Sequence, residues 1–283
     1  MARVVVLGAT GMAGHVISQY LEERGHDVYR TSRSIEASTR AEAIDAADVH
    51  ALIAWLDFVR PAHVINAIGV LPRDVGARPD LAVLLNAYLP QKLAQYYKSQ
   101  KTRLIHLSTD CVFAGTKGSY AEDDPTDGMS MYDRSKALGE IRNDKDLTFR
   151  MSIIGPDLDV NGVGLFNWFM KQSGEILGYR KAIWNGVTTI ELAKGLEAAI
   201  QQNLTGLYHF VPDTSISKYE LLRLLQSQFH KTDVAVVAHD EFRVDKTLIN
   251  RRKDLDYQIP SYPVMVHEMA EWILAHKESY GYG

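Results

Sequence analysis

The sequence predicts an α/β fold: a Rossmann-like doubly wound parallel sheet with a smaller C-terminal α/β substrate domain. Two observations predict it. At the N-terminus a β-branched strand, a glycine-spaced turn and an amphipathic helix follow one another directly. Short apolar runs then alternate with helix-period segments to about residue 153, as parallel βαβ units require.

Arg3-Val4-Val5-Val6-Leu7 is a continuous apolar run, expected of a strand buried on both faces. Gly8-Ala9-Thr10-Gly11-Met12-Ala13-Gly14 forms the turn. Ala13, Val16, Ile17, Tyr20 and Leu21 then recur at helical spacing and stop at Arg24-Gly25. Asp27 to Thr31 reads as a strand, and Ala47 to Val59 as a helix capped by Asp48. His63 to Ala67 is the next strand and Leu81 to Gln100 the next helix. Leu104 to Ser108 is a strand, Tyr132 to Arg142 a helix and Leu147 to Met151 a strand. Beyond residue 153 the alternation fades. A loop is expected at Asn161 to Gly164, helices at Leu165 to Gln172, Ile190 to Gln201 and Lys218 to Phe229, and a strand at Leu207 to Val211. The stretch from Arg243 to Pro263, rich in Arg, Lys, Tyr and Pro, reads as an irregular surface over a cleft. Residues 1–153 are therefore expected to form a nucleotide-binding domain, with 190–212 returning to it, and 154–283 a substrate domain.

A chain of 283 residues has room for such a core. Net charge of −4 gives no basic footprint for nucleic acid. The single cysteine, Cys111, excludes an intramolecular disulfide framework and fits a reducing cytosol. No apolar run approaches the ~18 to 20 residues of a membrane span. A strand beginning at Arg3 leaves no room for a signal peptide, so a cytoplasmic location is expected.

Glycines at positions 8, 11 and 14, between a strand and a helix, allow a tight turn and close approach of backbone to a pyrophosphate. The helix N-terminus supplies free N–H groups and a positive dipole end. The strand ending at Arg30-Thr31-Ser32-Arg33-Ser34 carries no carboxylate for an adenosine ribose. The Ser32 hydroxyl and the Arg33 guanidinium suit a 2′-phosphate instead, which favours NADPH, with NADH as the alternative. Asp45 is a candidate beside the adenine, a plain surface aspartate being nearly as good a reading. No metal site is expected.

Tyr132 and Lys136 share one helical face at i, i+4 spacing. A phenol beside an ammonium, with a hydroxyl from Thr109 nearby, can hand a proton to a carbonyl oxygen while hydride reaches its carbon. Tyr-x-x-x-Lys is weak alone, and it also occurs at Tyr88/Lys92 and Tyr97/Lys101. Only Tyr132/Lys136 follows a hydroxyl at a strand C-terminus, the edge of a parallel sheet where ligands bind.

The Gly-x-x-Gly-x-x-Gly spacing resembles the extended branch of the short-chain dehydrogenase/reductase superfamily. Ser108-Thr109-Asp110-Cys111-Val112-Phe113-Ala114-Gly115, followed by Tyr132-Asp133-Arg134-Ser135-Lys136-Ala137-Leu138-Gly139-Glu140, resembles the dTDP-4-dehydrorhamnose reductase family within it. Val64-Ile65-Asn66-Ala67, Phe149-Arg150-Met151-Ser152 and Gly206-Leu207-Tyr208-His209-Phe210 are further landmarks. The resemblance implies that Thr109, Tyr132 and Lys136 are the catalytic trio. It implies that Gly11, Met12 and Ala13 hold the pyrophosphate and that Ala67, Ile68 and Gly69 line the cofactor, with Gly8 and Thr10 of the same turn also expected to be cofactor-binding. Lys136 would also lower the phenol pKa and bind the nicotinamide ribose. The implied activity is NADPH-dependent reduction of a nucleoside-diphosphate-linked 4-keto-6-deoxy sugar, giving a deoxy-sugar precursor for cell-surface polysaccharide. The family often forms homodimers, but no segment marks an interface.

Two departures qualify that reading. Cys111 replaces the family's usual tyrosine and stands where related dehydratases carry a glutamate, which points to reduction rather than dehydration. Epimerase–reductases carry a reactive cysteine at this offset, so Cys111 is either a carbon acid/base or a small residue packed under the loop. The second domain departs more, so the nucleotide is left open as dTDP or UDP and the sugar as one bearing an N-acetyl group or not. Trp184 is a candidate to stack on base or sugar, and Lys171, Arg251 and Arg252 are candidates for the diphosphate, alongside core and surface readings of each. A non-catalytic NADP-binding regulatory subunit is the alternative outside catalysis.

Overall fold

The alternation of side chains along the first strand builds the doubly wound core. In the computed structural model, which describes residues 1–159 and 161–282, Val4 and Val6 face one apolar cluster and Val5 and Leu7 the other. The strands are β1 (Arg3–Leu7), β2 (Asp27–Ser32), β3 (Ala41–Ala43), β4 (His63–Asn66), β5 (Arg103–Thr109), β6 (Leu147–Met151), β7 (Ile153–Ile154), β8 (Gly174–Trp184), β9 (Val187–Thr188), β10 (Gly206–His209), β11 (Ile216–Ser217) and β12 (Val234–Asp245). Seven of them form one sheet in the order β10-β6-β5-β4-β1-β2-β3, with every pairing parallel. The order reverses between β1 and β4, which opens a crevice at their C-terminal ends. Leu52, Leu56, Val59, Leu89, Leu93 and Tyr97 cover one face. The Met12–Glu23 and Thr189–Gln201 helices cover the other.

Asp48 caps its helix, the side chain accepting from the Ala51 amide at 3.0 Å. The Thr189–Gln201 helix and β10 lie with the large sheet, where β10 pairs β6 at the edge. The remaining C-terminal residues form a three-stranded sheet, β11-β8-β12, with the Lys218–Gln228 helix against it.

Several elements differ from the sequence expectation. The Leu81–Gln100 helix is interrupted: a π-helical stretch spans Ala82–Tyr88, and a regular helix resumes at Leu89–Tyr97. The helix carrying Tyr132 stops at Gly139 instead of Arg142, because Glu140 turns to extended backbone and sends its carboxylate inward. The long strands β8 and β12 were not anticipated. Their mixed polar and apolar residues follow exposure of one face rather than burial of both. The tail expected to be irregular from Arg243 begins inside β12 and ends on a helix, Tyr262–Ala275.

The turn of Glu140 makes the main polar contact of the core. Arg150 on β6 is fully buried and grips Glu140 with two nitrogens, Nε lying 2.7 Å from Oε1. Ser108 on β5 donates to the same Oε1 at 2.8 Å. A third guanidinium nitrogen donates to His209 Nε2 at 2.8 Å, and His209 Nδ1 donates to the Ile249 carbonyl at 2.9 Å. Burial and the adjacent arginine push the His209 imidazole down to about 3, so the ring is neutral, as this bonding requires. Removing one partner of a buried pair leaves an uncompensated charge, which costs about 3–5 kcal/mol. Glu140→Gln is therefore expected to lower the urea midpoint strongly with little change in m-value, while Ser108→Ala has a smaller effect.

Candidate active site

Three segments meet at the C-terminal edge of the large sheet. The first is the glycine turn. Gly8 adopts φ +77°, and its amide and that of Ala9 donate to the Thr31 carbonyl at 2.9 and 3.1 Å. A Cβ on Gly14 would lie 2.1 Å from the Gly8 carbonyl oxygen, so only glycine lets the helix start this close to the strand. Gly11 caps that helix with no side-chain hydrogen bond, and Thr10, Met12 and Ala13 follow the turn around it. The first helical N–H groups thus lack a partner within the helix and suit an anion.

The second segment follows β4. Gly8 packs against Ala67 and Ile68. Asn66 Oδ1 accepts from the Ile68 amide at 3.2 Å. Beyond Gly69, Asn86 accepts from the Val70 amide at 2.7 Å. It donates to the Val70 carbonyl and to Ser135 Oγ, both at 3.1 Å. Asn86 belongs to the π-helical stretch, so the extra residue in that turn aims an amide at both the loop after β4 and the Tyr132 helix. The sequence reading missed Asn86, whose position depends on a backbone irregularity that no periodicity announces.

Ser32 ends β2, and Arg33 beside it is exposed, with no ion pair among the described residues. Its neighbour Arg30 is paired with Glu22. Asp45 lies exposed just past β3, where its side chain accepts from the Ala47 amide at 3.0 Å.

The third segment joins β5 to the Met131–Gly139 helix. Ser130 and Asp133 form a capping box that starts the helix and brings Tyr132 back toward Thr109. Thr109 Oγ1 accepts from the Cys111 amide and donates to Asp110 Oδ1, each at 3.1 Å. Lys136 is buried and donates from Nζ to the Leu107 carbonyl at 2.7 Å. Burial pushes its ammonium down to about 8, with the Glu140 carboxylate opposing. Burial also raises the Tyr132 phenol, aided by Cys111 and Asp110, with the Thr109 hydroxyl opposing. The expectation that Lys136 lowers the phenol is not met here: burial raises it, and Lys136, which donates to the Leu107 carbonyl, is not among the groups that act on it. A phenol so raised is protonated at neutral pH, the state a proton donor needs. The Cys111 thiol is pushed up to about 11 by burial and Asp110, so it too is neutral. Lys246, not a histidine, is the cation that opposes that rise.

The other Tyr-x-x-x-Lys pairs lie elsewhere. Tyr88 is half exposed on the π-helical stretch. Tyr97 and Lys101 line a cavity of about 870 Å³ with Arg3 and Thr102, at the opposite edge of the sheet, away from the glycine turn.

Of the second-domain candidates, Trp184 is buried, donates from Nε1 to Ser152 Oγ at 2.8 Å and stands against the Lys218 ammonium at 4.6 Å. Lys171 is exposed after the Leu165–Met170 helix. Arg252 pairs with Asp254, donates to the Thr205 and Leu207 carbonyls at 2.6 and 3.0 Å and lies over Tyr208, fastening the β10 edge. Arg251 is exposed and pairs with Asp123. Lys218 and Lys246 are the cations whose charge opposes the rise of the buried Asp110 carboxyl, and the sequence reading named neither. Ser217-x-x-Glu220 signals a helix start, but its approach to β5 is tertiary.

Residues 2–247 match the family described as RmlD substrate binding domain. The chain belongs to that family. It is 34% identical over 140 residues to a dTDP-4-dehydrorhamnose reductase of Streptomyces griseus, covering 49% of this chain and 43% of that one. At this level of identity the chain spans about half the length of the curated relatives it matches. It is 25% identical to the methionine adenosyltransferase 2 subunit beta of Xenopus laevis, over 81% of this chain and 72% of that one. The fold matches the dTDP-4-dehydrorhamnose reductase of Bacillus anthracis, solved in complex with NADP. The TM-score is 0.80 and the identity 21%, covering 96% of this chain and 99% of that one.

The buried lysine of this RmlD-family chain has a pH signature. Its folded value lies below its ordinary 10.5, so the unfolded chain holds more protons between about 8 and 10.5 and stability rises with pH there. Lys136→Met is expected to flatten that rise in unfolding free energies measured from pH 7.5 to 10.5.

Proposed function

We propose that the chain is an NADPH-dependent reductase of a nucleoside-diphosphate-linked 4-keto-6-deoxy sugar. The observation that carries this reading is the meeting of Thr109, the protonated Tyr132 and buried Lys136 with an uncapped glycine turn at one sheet edge. That the Streptomyces griseus and Bacillus anthracis proteins are named dTDP-4-dehydrorhamnose reductases supports the substrate class. The site fits the cofactor. The backbone of Gly8, Thr10, Gly11, Met12 and Ala13 would take the pyrophosphate, and Ala67, Ile68 and Gly69 would line its inner side. Unpaired Arg33, with Ser32, would meet the 2′-phosphate, and Asp45 the adenosine end. When bound, the nicotinamide supplies hydride.

The residues supply the rest. Thr109 holds the carbonyl oxygen at the end of β5, where the strand fixes its backbone. Tyr132 gives its proton to the oxygen as negative charge develops there. Lys136, which donates to the Leu107 carbonyl, stabilises the phenolate left behind and would hold the nicotinamide ribose when the cofactor is bound. With Cys111 a neutral thiol where a dehydratase places a carboxylate, elimination lacks its base. The sugar's nucleotide is dTDP or UDP, and the product is a deoxy-sugar precursor of polysaccharide.

Tyr132→Phe is expected to abolish substrate-dependent NADPH oxidation while NADPH binding, followed by fluorescence, persists. An active Tyr132→Phe protein would sink the assignment. Arg33→Ala is expected to weaken NADPH binding roughly tenfold or more, the scale of a lost charged hydrogen bond, and to leave NADH binding unchanged.

A second reading is a non-catalytic NADP-binding subunit. The observation that favours it is the breadth of the match to the methionine adenosyltransferase subunit, wider than the match to the S. griseus reductase. No NADPH oxidation with dTDP-, UDP- or GDP-linked 4-keto-6-deoxy sugars would select this reading over the reductase.

A further inference from the structure

Two lysines from the C-terminal segments converge on the loop that follows the Thr109 strand. Lys218 begins the Lys218–Gln228 helix, after the Ser217 cap, and is half-buried. Its ammonium lies 4.6 Å from the Trp184 ring centroid. Trp184 is itself tied to Ser152, the residue after the Met151 that pairs with Thr109, and Asp110 is the carboxylate whose charge acts on Lys218. Lys246 directly follows β12, its stem packed over Gly115. It bears on the same Asp110 and Cys111. Neither ammonium has a hydrogen bond or an ion pair within 4 Å among the described residues. Asp110 takes only short-range contacts from its own loop, Thr109 Oγ1 and Cys111.

An ammonium has three donors and no acceptor, so one without a protein acceptor has donors to offer a ligand. Trp184 supplies cation–π attraction and a fixed direction, but no hydrogen-bond acceptor. Asp110 and Cys111 immediately follow the residue assigned to the substrate carbonyl. Those donors therefore lie beside the reacting sugar, while the glycine turn that would take the cofactor pyrophosphate belongs to a different segment.

Resting on the reductase reading, we propose that Lys218 is a specificity-determining residue for the sugar: held on Trp184, it donates to a hydroxyl or carbonyl oxygen next to the carbon being reduced, while Asp110 accepts from a sugar hydroxyl. Lys246 balances the Asp110 charge from the other side. The pairing selects a sugar that offers an acceptor oxygen and a donor hydroxyl together. It is indifferent to the nucleoside.

The test is calorimetric, with the full chain saturated with NADP⁺. The ligands are dTDP- and UDP-linked 4-keto-6-deoxy sugars and, separately, dTDP and UDP. Lys218→Met keeps the stem on Trp184 and removes the donors. It is expected to weaken the sugar nucleotide roughly tenfold or more, the scale of a lost charged hydrogen bond, and to leave the nucleoside diphosphate unchanged. Lys218→Arg is expected to recover most of the loss. Circular dichroism melts establish that each variant is folded. Equal sugar-nucleotide affinity in Lys218→Met and wild type would overturn the proposal alone, leaving the reductase reading intact. Equal weakening of sugar nucleotide and nucleoside diphosphate would reassign Lys218 to the diphosphate and overturn it likewise. A wild-type protein that binds no sugar nucleotide would overturn both.

Discussion

The pairing of Arg150 with Glu140 holds the site in register. Both are buried, and the carboxylate is reached only because the helix carrying Tyr132 and Lys136 ends one residue earlier, at Gly139. Ser108 ties the same carboxylate to the residue preceding Thr109. One ion pair thus sets the distance between the helix that bears the phenol and the strand that bears the hydroxyl. Through His209 it extends to the edge strand and to the Ile249 carbonyl of the C-terminal tail. A buried pair is weak evidence for stability and better evidence for a specified geometry, and here the geometry specified is that of the proposed reaction.

The electrostatics of the site follow from burial more than from charge. Tyr132 and Cys111 are both raised, and Lys136 and Lys218 both lowered, with desolvation the largest cause each time. The resting pocket therefore favours neutral groups. Charge that develops on a substrate oxygen meets little competing solvent, and interactions there are stronger than at a wet surface. This sharpens the role proposed for Lys136: its cation would offset the phenolate formed after proton transfer and does not prepare one beforehand.

Much of this was legible in the sequence. The glycine turn, the Asp48 cap and the strand–helix alternation are local signals, and each appears where periodicity and capping chemistry put it. Three copies of Tyr-x-x-x-Lys were separated by asking which followed a strand end, and the structure puts Tyr97/Lys101 at the opposite edge. What escaped was tertiary or irregular. The π-helical turn that aims Asn86 has no composition of its own. Strands β8 and β12 each have an exposed face, so their hydrophobic runs are broken. Lys218 and Lys246 act on Asp110, just past β5, from more than a hundred residues further along the chain, and no spacing reports that.

The chain's path through the second sheet has a consequence for engineering. Strand β8 and strand β12 are separated by the Thr189–Gln201 helix and by β10, both of which belong to the large sheet. The small sheet is therefore not a detachable tail. A chimera that exchanged everything after residue 153 would also replace the outermost strand of the large sheet and the partner of the Met12–Glu23 helix. An exchange of specificity has to be made as two inserts, one either side of that returning stretch. Each insert would carry one part of the lysine–tryptophan pair: Trp184 in the first and Lys218 in the second.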